Sequence, residues 1–365
     1  MTLKGKGFFI WQIARCENGD VEAVADLAEQ SGLSHILVKI ADGAYPYNIV
    51  NDIDLVPPLV QALRDRLISV WGWHYVYGYE PQAEAQIAIQ RLNELGLDGY
   101  VIDAEAQYKE PGKEEAALIF MAALRAALPD FPIALSSYRY PTYHPTLPWV
   151  EFLQSCDLNM PQVYWIGAHN PAEQLARSLR EFEAITPFRP LIPTGAAFIE
   201  GGWQPTVAEV LEFLQAARDL NMTAANFWEW YNCRKNLPDI WNAIRDFPWP
   251  FDDSDLDIVL RYMAALNSHD VERVLALYND NAVHVLSSRT LQGTDQLRWW
   301  YNDLFTRVLP EASFTLIESQ GEASTRHFTW SAISSRGQVE NGADSFGLVG
   351  EKITYHYSHF SVTSP

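Results

Sequence analysis

The sequence predicts a mixed α/β chain of two domains: a (β/α)8, or TIM-type, barrel over residues 1–250, followed by an α+β domain over 255–365. Three observations predict it. Strand and helix signals alternate over the first ~250 residues. A proline- and aspartate-rich segment without periodicity, Phe247-Pro-Trp-Pro-Phe-Asp-Asp-Ser254, then reads as a linker. Beyond it the order changes to helices first and long strands afterwards, an α+β layout.

The strand candidates of the first half are Phe8–Ile13, His35–Ile40, Ser69–Tyr75, Gly99–Glu105, Ile133–Tyr138, Leu158–Tyr164, Leu191–Ala197 and Ala225–Trp230. Amphipathic stretches separate them: Asp20–Ser31, Leu55–Arg66, Pro81–Leu95, Lys113–Leu128, Pro171–Ile185 and Thr206–Asn221. Asn170-Pro171 and Pro205-Thr206 are clear helix starts, because proline suits the first turn. Eight strands alternating with helices over this length match the count and size of a (β/α)8 barrel. A doubly wound open sheet is the alternative. No GxGxxG or P-loop pattern supports a nucleotide fold, and no cofactor is implied.

In the second half, helices at Leu256–Asn267 and Val271–Leu277 precede a short strand, Ala282–Leu286, and a helix near Thr294–Val308. Long strands follow at Ala312–Glu322, Thr325–Ser335, and Ala343–Val349 continuing through Ile353–Val362.

Composition narrows the function classes. The formal net charge is −20, which repels a phosphate backbone or an anionic membrane surface, so neither nucleic acid nor membrane is an expected partner. A neutral or cationic ligand is compatible with that sum. The three cysteines, Cys16, Cys156 and Cys233, are widely spaced and form no CxxC, which argues against a disulfide framework and a zinc site. The histidines show no metal-ligand spacing, so no metal is expected. The N-terminal apolar run leads straight into a strand rather than a signal peptide, and no apolar stretch nears the ~20 residues of a membrane span. The expected location is cytoplasmic. Aromatic residues make up 13% of the chain, and many fall at predicted strand ends, where sugar-binding proteins place rings; core packing is the plainer reading of any one of them.

The sharpest feature is Gly99-Tyr-Val-Ile-Asp-Ala-Glu105, an apolar strand ending in two carboxylates. Strand side chains alternate faces, so Asp103 and Glu105 point the same way, roughly 6–7 Å apart at Cα. Burying such a pair is costly unless it works, binds something or is well hydrogen-bonded. Two close carboxyls push their pKa values apart, leaving one protonated and one charged near neutral pH, which is what glycosidic cleavage needs. The structural alternative is an ion pair with Lys39 or Arg139 closing the barrel mouth. Glu229, between Trp228 and Trp230, ends the eighth strand as a further candidate acid. Lys39 sits mid-strand in Leu37-Val-Lys-Ile40 and needs a partner, which an acid inside the barrel could supply. With Lys39, the substrate-binding candidates are Gln12 on the first strand, His74 on the third, Tyr138 on the fifth, Gln162 and Tyr164 on the sixth and Trp228 on the eighth; Tyr75, Arg139 and Trp165 stand beside them at strand ends. For His74, a hydrogen-bonded core histidine is the stronger reading.

An Asp-x-Glu at the end of the fourth strand is similar to the glycoside hydrolase family 25 lysozymes. The resemblance implies a muramidase-like barrel in which Glu105 is the general acid and Asp103 positions the substrate or intermediate. The family also carries an aspartate on its first strand, where this chain has Phe8-Phe-Ile-Trp-Gln-Ile13, with Gln12 and no acid.

The second half resembles another family. An Asn267-Ser-His-Asp270 turn between helices, Tyr278, Asp280-Asn-Ala-Val283 and Leu291-Gln-Gly-Thr-Asp295 come in order. Trp299-Trp-Tyr301, Gly342-Ala-Asp-Ser-Phe346 and Gly350-Glu-Lys-Ile-Thr354 follow. The pattern is similar to the SnoaL-like polyketide cyclase group of the nuclear transport factor 2-like superfamily. That resemblance implies a cone: a curved sheet around helices with a pocket in its mouth. It implies Asp344 as acid/base, with His284, His327, Trp330 and His356 as neighbours, and a homodimer through the sheet. Many such domains only bind a ligand or dimerise. Three functions therefore stand: a glycan hydrolase using Asp103 and Glu105, an isomerase or cyclase using Asp344, and a binding protein in which neither site turns over. The expected partner is a glycan or another small molecule.

Overall fold

The computed structural model describes residues 3–249 and 257–363. Two compact units divide the chain, Met1–Phe251 and Asp252–Pro365. Most of the expected linker lies outside the described residues, as does Leu256 at the expected start of the next helix.

In the first unit, eight strands run parallel: β1 (Gly5–Ile10), β2 (His35–Asp42), β3 (Ser69–Val76), β4 (Gly99–Ala104), β5 (Ile133–Tyr138), β6 (Leu158–Val163), β7 (Thr194–Ala196) and β8 (Ala224–Trp228). Each pairs with the next, and β8 pairs back to β1, so the sheet closes into a barrel and the open-sheet alternative falls. Helices lie between strands, among them α1 (Val21–Gln30), α2 (Val56–Arg64), α3 (Pro81–Leu95), α4 (Lys113–Ala127), α5 (Trp149–Leu153), α6 (Pro171–Glu183) and α7 (Val207–Asp219). Local chemistry sets their starts. Pro171 occupies the first turn of α6, and Thr206 and Glu209 form a capping box on α7.

The period-2 rule divides the strands' side chains. Val70, His74 and Val76 of β3 point to the helix layer, while Trp71, Trp73 and Tyr75 point into the barrel. Phe9, Leu37, Trp73, Val101, Met160 and Ala224 pack the barrel interior. Near its base, His35 Nε2 lies 2.6 Å from Asn226 Oδ1. Gly7 makes room for that imidazole, because a Cβ there would sit 2.2 Å from His35 Nε2.

Five strands stop short of the expected positions: β4 ends at Ala104, so Glu105 lies just past it, β6 at Val163 and β7, which starts only at Thr194, at Ala196, and the first and eighth fall further short. The first strand ends at Ile10, and Ile13–Gly19 forms a 3-10 turn, so Gln12 lies beyond the sheet. The turn is held from a distance: Asn48 Oδ1 accepts from Ile13 N at 2.9 Å. The eighth strand ends at Trp228, and Glu229 caps a short helix, α8 (Trp230–Asn236), whose Tyr231 and Asn232 N–H groups its carboxylate accepts. A second short helix, α9 (Pro238–Asp246), follows.

The second unit opens with α10 (Ile258–Asn267) and α11 (Val271–Leu275). A mixed sheet follows: β9 (Tyr278–Leu286), β10 (Arg289–Gln292), β11 (Ser313–Gln320), β12 (Thr325–Ser334), β13 (Gly337–Val349) and β14 (Lys352–His359), with α12 (Thr294–Asp303) after β10. Its strand order is β10-β9-β14-β13-β12-β11, with β9 and β14 parallel. The structure adds β10, extends β13 back to Gly337 and separates it from β14 by a turn at Gly350, where φ is +61°. Glycine tolerates that left-handed conformation, which a continuous strand cannot contain. One face of the sheet covers Tyr262, Leu266, Leu297 and Tyr301 from the helices.

Candidate functional site

Carboxylates approach each other inside the barrel. Asp103 lies on β4 facing inward and is 6% exposed; Glu105 follows two residues later, nearer solvent. Gln162 on β6 reaches both: its Nε2 donates to Glu105 Oε1 at 2.7 Å and to Asp103 Oδ1 at 3.2 Å. Burial, and then the charge of Glu105, push Asp103 well above the usual carboxylate range, with Lys39 opposing. A protonated Asp103 can donate to Glu105, so the pair holds a proton where a lone exposed aspartate would not.

Around the pair is a cavity of about 320 Å3. Phe9, Trp11, Trp73, Tyr75, Tyr164 and Trp228 supply an aromatic wall, and Lys39, Ser136 and Gln162 supply polar groups. Trp73 and Trp228 meet edge to face at 5.3 Å. The Tyr75 hydroxyl donates to Gln107 Oε1 at 2.8 Å. Burial raises the hydroxyls of Tyr75 and Tyr164, and the pair's negative charge adds to it, so both remain neutral donors.

Of the residues expected here, Asp103, Glu105, Lys39, Gln162, Tyr164 and Trp228 line this one cavity. Lys39 takes a different partner from the one expected. Its Nζ pairs with Asp42 Oδ2 at 2.6 Å and lies 4.4 Å from the Tyr47 ring and 4.7 Å from the Trp73 ring. Asp42 lies three residues along the same strand, so the charge is met at the barrel rim. Arg139 makes no ion pair with Asp103 or Glu105 among the described residues; its guanidinium stacks on Tyr140. His74 faces the helices: Nδ1 lies 2.7 Å from the Tyr100 hydroxyl and Nε2 lies 2.7 Å from Gly43 O. Burial holds it down to about 4, hence neutral, so it is a core histidine and does not line the acid cavity. Trp165 is likewise buried and donates to Glu209. Tyr138 stacks on His144 at 3.7 Å beside the cavity, and burial, then Glu105 and Asp103, push its hydroxyl up to about 12.

Gln12 and Glu229 come together elsewhere, in a cleft of about 230 Å3 with Arg15, Tyr231 and Lys235. Trp11 lines both spaces. Because the Glu229 carboxylate is spent on capping α8, it stands outside the acid pair. Phe9, Trp11, Trp73 and Ser136 are lining residues that the sequence reading misses; inward alternation along β1, β3 and β5 is the signal that finds them. Among the described residues, no group of three His, Cys, Asp or Glu side chains converges as a metal site. No helix among them is long and apolar enough to cross a membrane.

The second unit holds a buried polar cluster. Asp344 on β13 accepts from Trp330 Nε1 at 3.0 Å, and its other oxygen lies 2.8 Å from His356 Nε2. His356 Nδ1 lies 2.6 Å from the Tyr278 hydroxyl. That hydroxyl is 2.5 Å from Tyr301, which in turn is 3.1 Å from Tyr262. Hydroxyl donors passed from Tyr262 to Tyr301 to Tyr278 to His356, and the His356 N–H given to Asp344, satisfy the whole chain. His284 stacks on His356 with centroids 3.8 Å apart, and Ser358 bridges the two imidazoles. Burial pushes Asp344 up to about 6 and His356 down to about 3, and lowers His284 as well. Thus His284, Trp330, Asp344 and His356 do meet, whereas His327 lies on the outer face against Ser345. The tyrosines and Ser358 were missed, since they sit on four separate elements.

Comparison with known proteins bears on the second unit. Residues 259–356 match the family model of the SnoaL-like domain. Solved structures with partial likeness include a protein with a ketosteroid isomerase-like fold from Catenulispora acidiphila, 16% identical over 30% of this chain and 88% of that one, TM-score 0.27. Another is an NTF-2 like protein of unknown function from Burkholderia xenovorans, 14% identical over 30% and 83%, TM-score 0.26. A third is an NTF2-like protein of unknown function from Cytophaga hutchinsonii, 14% identical over 32% and 95%, TM-score 0.24. No curated protein matches the chain. The chain thus joins a closed barrel of eight parallel strands to a C-terminal SnoaL-like domain.

Proposed function

We propose that the barrel is a TIM-type (β/α)8 hydrolase of glycans and that Asp103 and Glu105 are its acid pair. The observation that carries this reading is a close carboxyl pair, bridged by Gln162, in a cavity with aromatic walls. Sugar rings present C–H faces that stack on such walls, and the pair keeps one proton near neutral pH. In the reaction, Glu105, nearer the mouth, gives a proton to the glycosidic oxygen as the C–O bond breaks, and takes in its place the proton that Asp103 holds across their hydrogen bond. Asp103, left charged, stabilises the positive anomeric carbon. Water then adds there and returns its proton to the pair. Lys39 lowers the cost of charge on Asp103. Trp228 and Tyr164 position the ring. The test is turnover of oligosaccharides, peptidoglycan fragments included, by wild type and Glu105→Gln. The variant is expected to lose about 10²- to 10⁴-fold in kcat with unchanged folding, the size of a general-acid contribution. A fully active variant sinks the reading.

The Asp344–His356 contact favours a second reading. A SnoaL-like domain with a carboxyl raised to about 6 against a neutral imidazole suits isomerase- or cyclase-type proton transfer on a small apolar ligand, or ligand binding alone. Ile333, Tyr355 and Tyr357 are exposed on the outer sheet face, which supports self-association there. Light scattering of the full chain and of Ile333→Lys tests that part: a wild-type monomer refutes it.

A further inference from the structure

An arginine-lined pocket lies at the same end of the barrel as the acid pair. β5 contributes Ser136 to the acid cavity and carries Tyr138 beside it; the next residue, Arg139, turns into a separate space of about 590 Å3. β6 contributes Gln162 to the cavity, and the loop after it supplies Asn170 to the same separate space. Arg177 and Arg180 of α6 and the rings of Tyr140 and Tyr143 complete its wall.

The charges there are not those of a finished structural network. Arg177 is committed: its Nε donates to Glu181 at 2.8 Å, its Nη1 donates to the Tyr143 hydroxyl at 2.9 Å, and its guanidinium lies 4.0 Å from the Tyr140 ring. Arg139 and Arg180 have no acid within salt-bridge distance among the described residues, and the buried Nε of Arg139 lacks a hydrogen-bond partner. Glu173, the acid in the wall, accepts from Asn170 instead. In a chain with 46 acidic and 26 basic residues, two guanidiniums left without acids in one pocket run against the composition. A guanidinium presents a planar fork that matches carboxylate or phosphate, and tyrosine rings beside it suit a sugar. The global charge of −20 still opposes a polyanion. A single small anion inside the pocket responds to its neighbours, because screening limits the wider field to ~8 Å at physiological salt.

We propose that Arg139, Arg177 and Arg180 form an anion subsite of the barrel, so that the chain cleaved at Asp103 and Glu105 is an acidic glycan bearing a carboxylate or a phosphate. This rests on the glycan reading of the acid pair. The experiment measures calorimetric binding to full-length Glu105→Gln protein, so that turnover does not enter. Three probes of equal length are compared at low and high salt: a uronic-acid oligosaccharide, a neutral oligosaccharide, and the neutral one carrying a phosphate ester. At least one acidic probe is expected to bind about tenfold tighter than the neutral one, with the advantage lost at high salt. Arg180→Glu, at an exposed position, and Arg139→Gln are each expected to weaken that probe about tenfold and leave the neutral one unchanged. The tighter acidic probe identifies the anion. Equal binding of all three, or acidic binding indifferent to both substitutions, overturns the subsite. Arginine-dependent binding with no hydrolysis by the wild type counts for the subsite and against the hydrolase reading.

Discussion

The barrel and the SnoaL-like domain each bury an aspartate whose pKa burial raises, yet they use it in opposite ways. Asp103 shares its surroundings with a second carboxylate and opens onto a cavity, so part of its hydrogen-bonding capacity faces open space. Asp344 is closed in by Trp330 and His356, with tyrosines continuing the chain behind. A like-charge neighbour raises the energy of the ionised site and keeps a proton on it at a pH where a lone carboxyl has lost its own; a complete set of donors lowers that energy and holds the fold. A raised carboxyl is therefore a weak sign of chemistry until its partners are counted.

Substitution can break this contrast. Asp103→Asn removes the like charge while its amide can still bond Gln162 and Glu105. It is expected to cut glycan turnover at least about 100-fold while leaving the melting temperature level or higher. A large fall in melting temperature with activity retained would make the pair structural. Asp344→Ala does the reverse: it strands the Trp330 and His356 donors in a buried site. A loss of about 3 kcal/mol is expected from urea unfolding of the full chain, from two unpaired buried groups at about 1–3 kcal/mol each. A loss below about 1 kcal/mol would mean that the cluster is held open for a ligand.

The two sites were also unequally legible. Asp103 and Glu105 share a face by the period of two, and although β4 ends at Ala104, both carboxyls reach one cavity, as the spacing predicts. The helix starts at Pro171 and Thr206 were local for the same reason. What escaped is what depends on distant partners. The apolar run Phe8–Ile13 looks like one strand, but Asn48 draws Ile13 into a turn, and Gln12 leaves the sheet. Glu229 looks like a strand-end acid until two backbone N–H groups of α8 claim it. Lys39 took Asp42, a neighbour that was visible but unweighed. Nothing local marks Tyr262, Tyr278 and Tyr301 as one chain, or brings Arg139 to Arg177 and Arg180.

The pH dependence of the second unit sharpens the comparison most finely. Asp344 folded holds its proton to about pH 6, against 3.8 for an ordinary aspartate, so alone it makes stability fall as pH rises between those values. The histidines act the other way. Folded His356 stays neutral down to about 3, and His284 is lowered too, while unfolded histidine protonates below 6.5. Each therefore makes stability rise with pH up to about 6.5. Two histidines outweigh one aspartate, leaving the unfolded unit with about one more proton near pH 5. Stability is thus expected to rise by about 1.4 kcal/mol per pH unit there and level off above 6.5. Asp344→Asn deletes the opposing contribution, so its slope should approach about 2.7 kcal/mol per unit. Hydrogen exchange of the Lys352–His359 strand in the full chain reads both slopes. A wild-type slope that falls with pH would mean that His356 is charged in the fold and paired with ionised Asp344, giving the cluster the stored charge that is here assigned to the barrel alone.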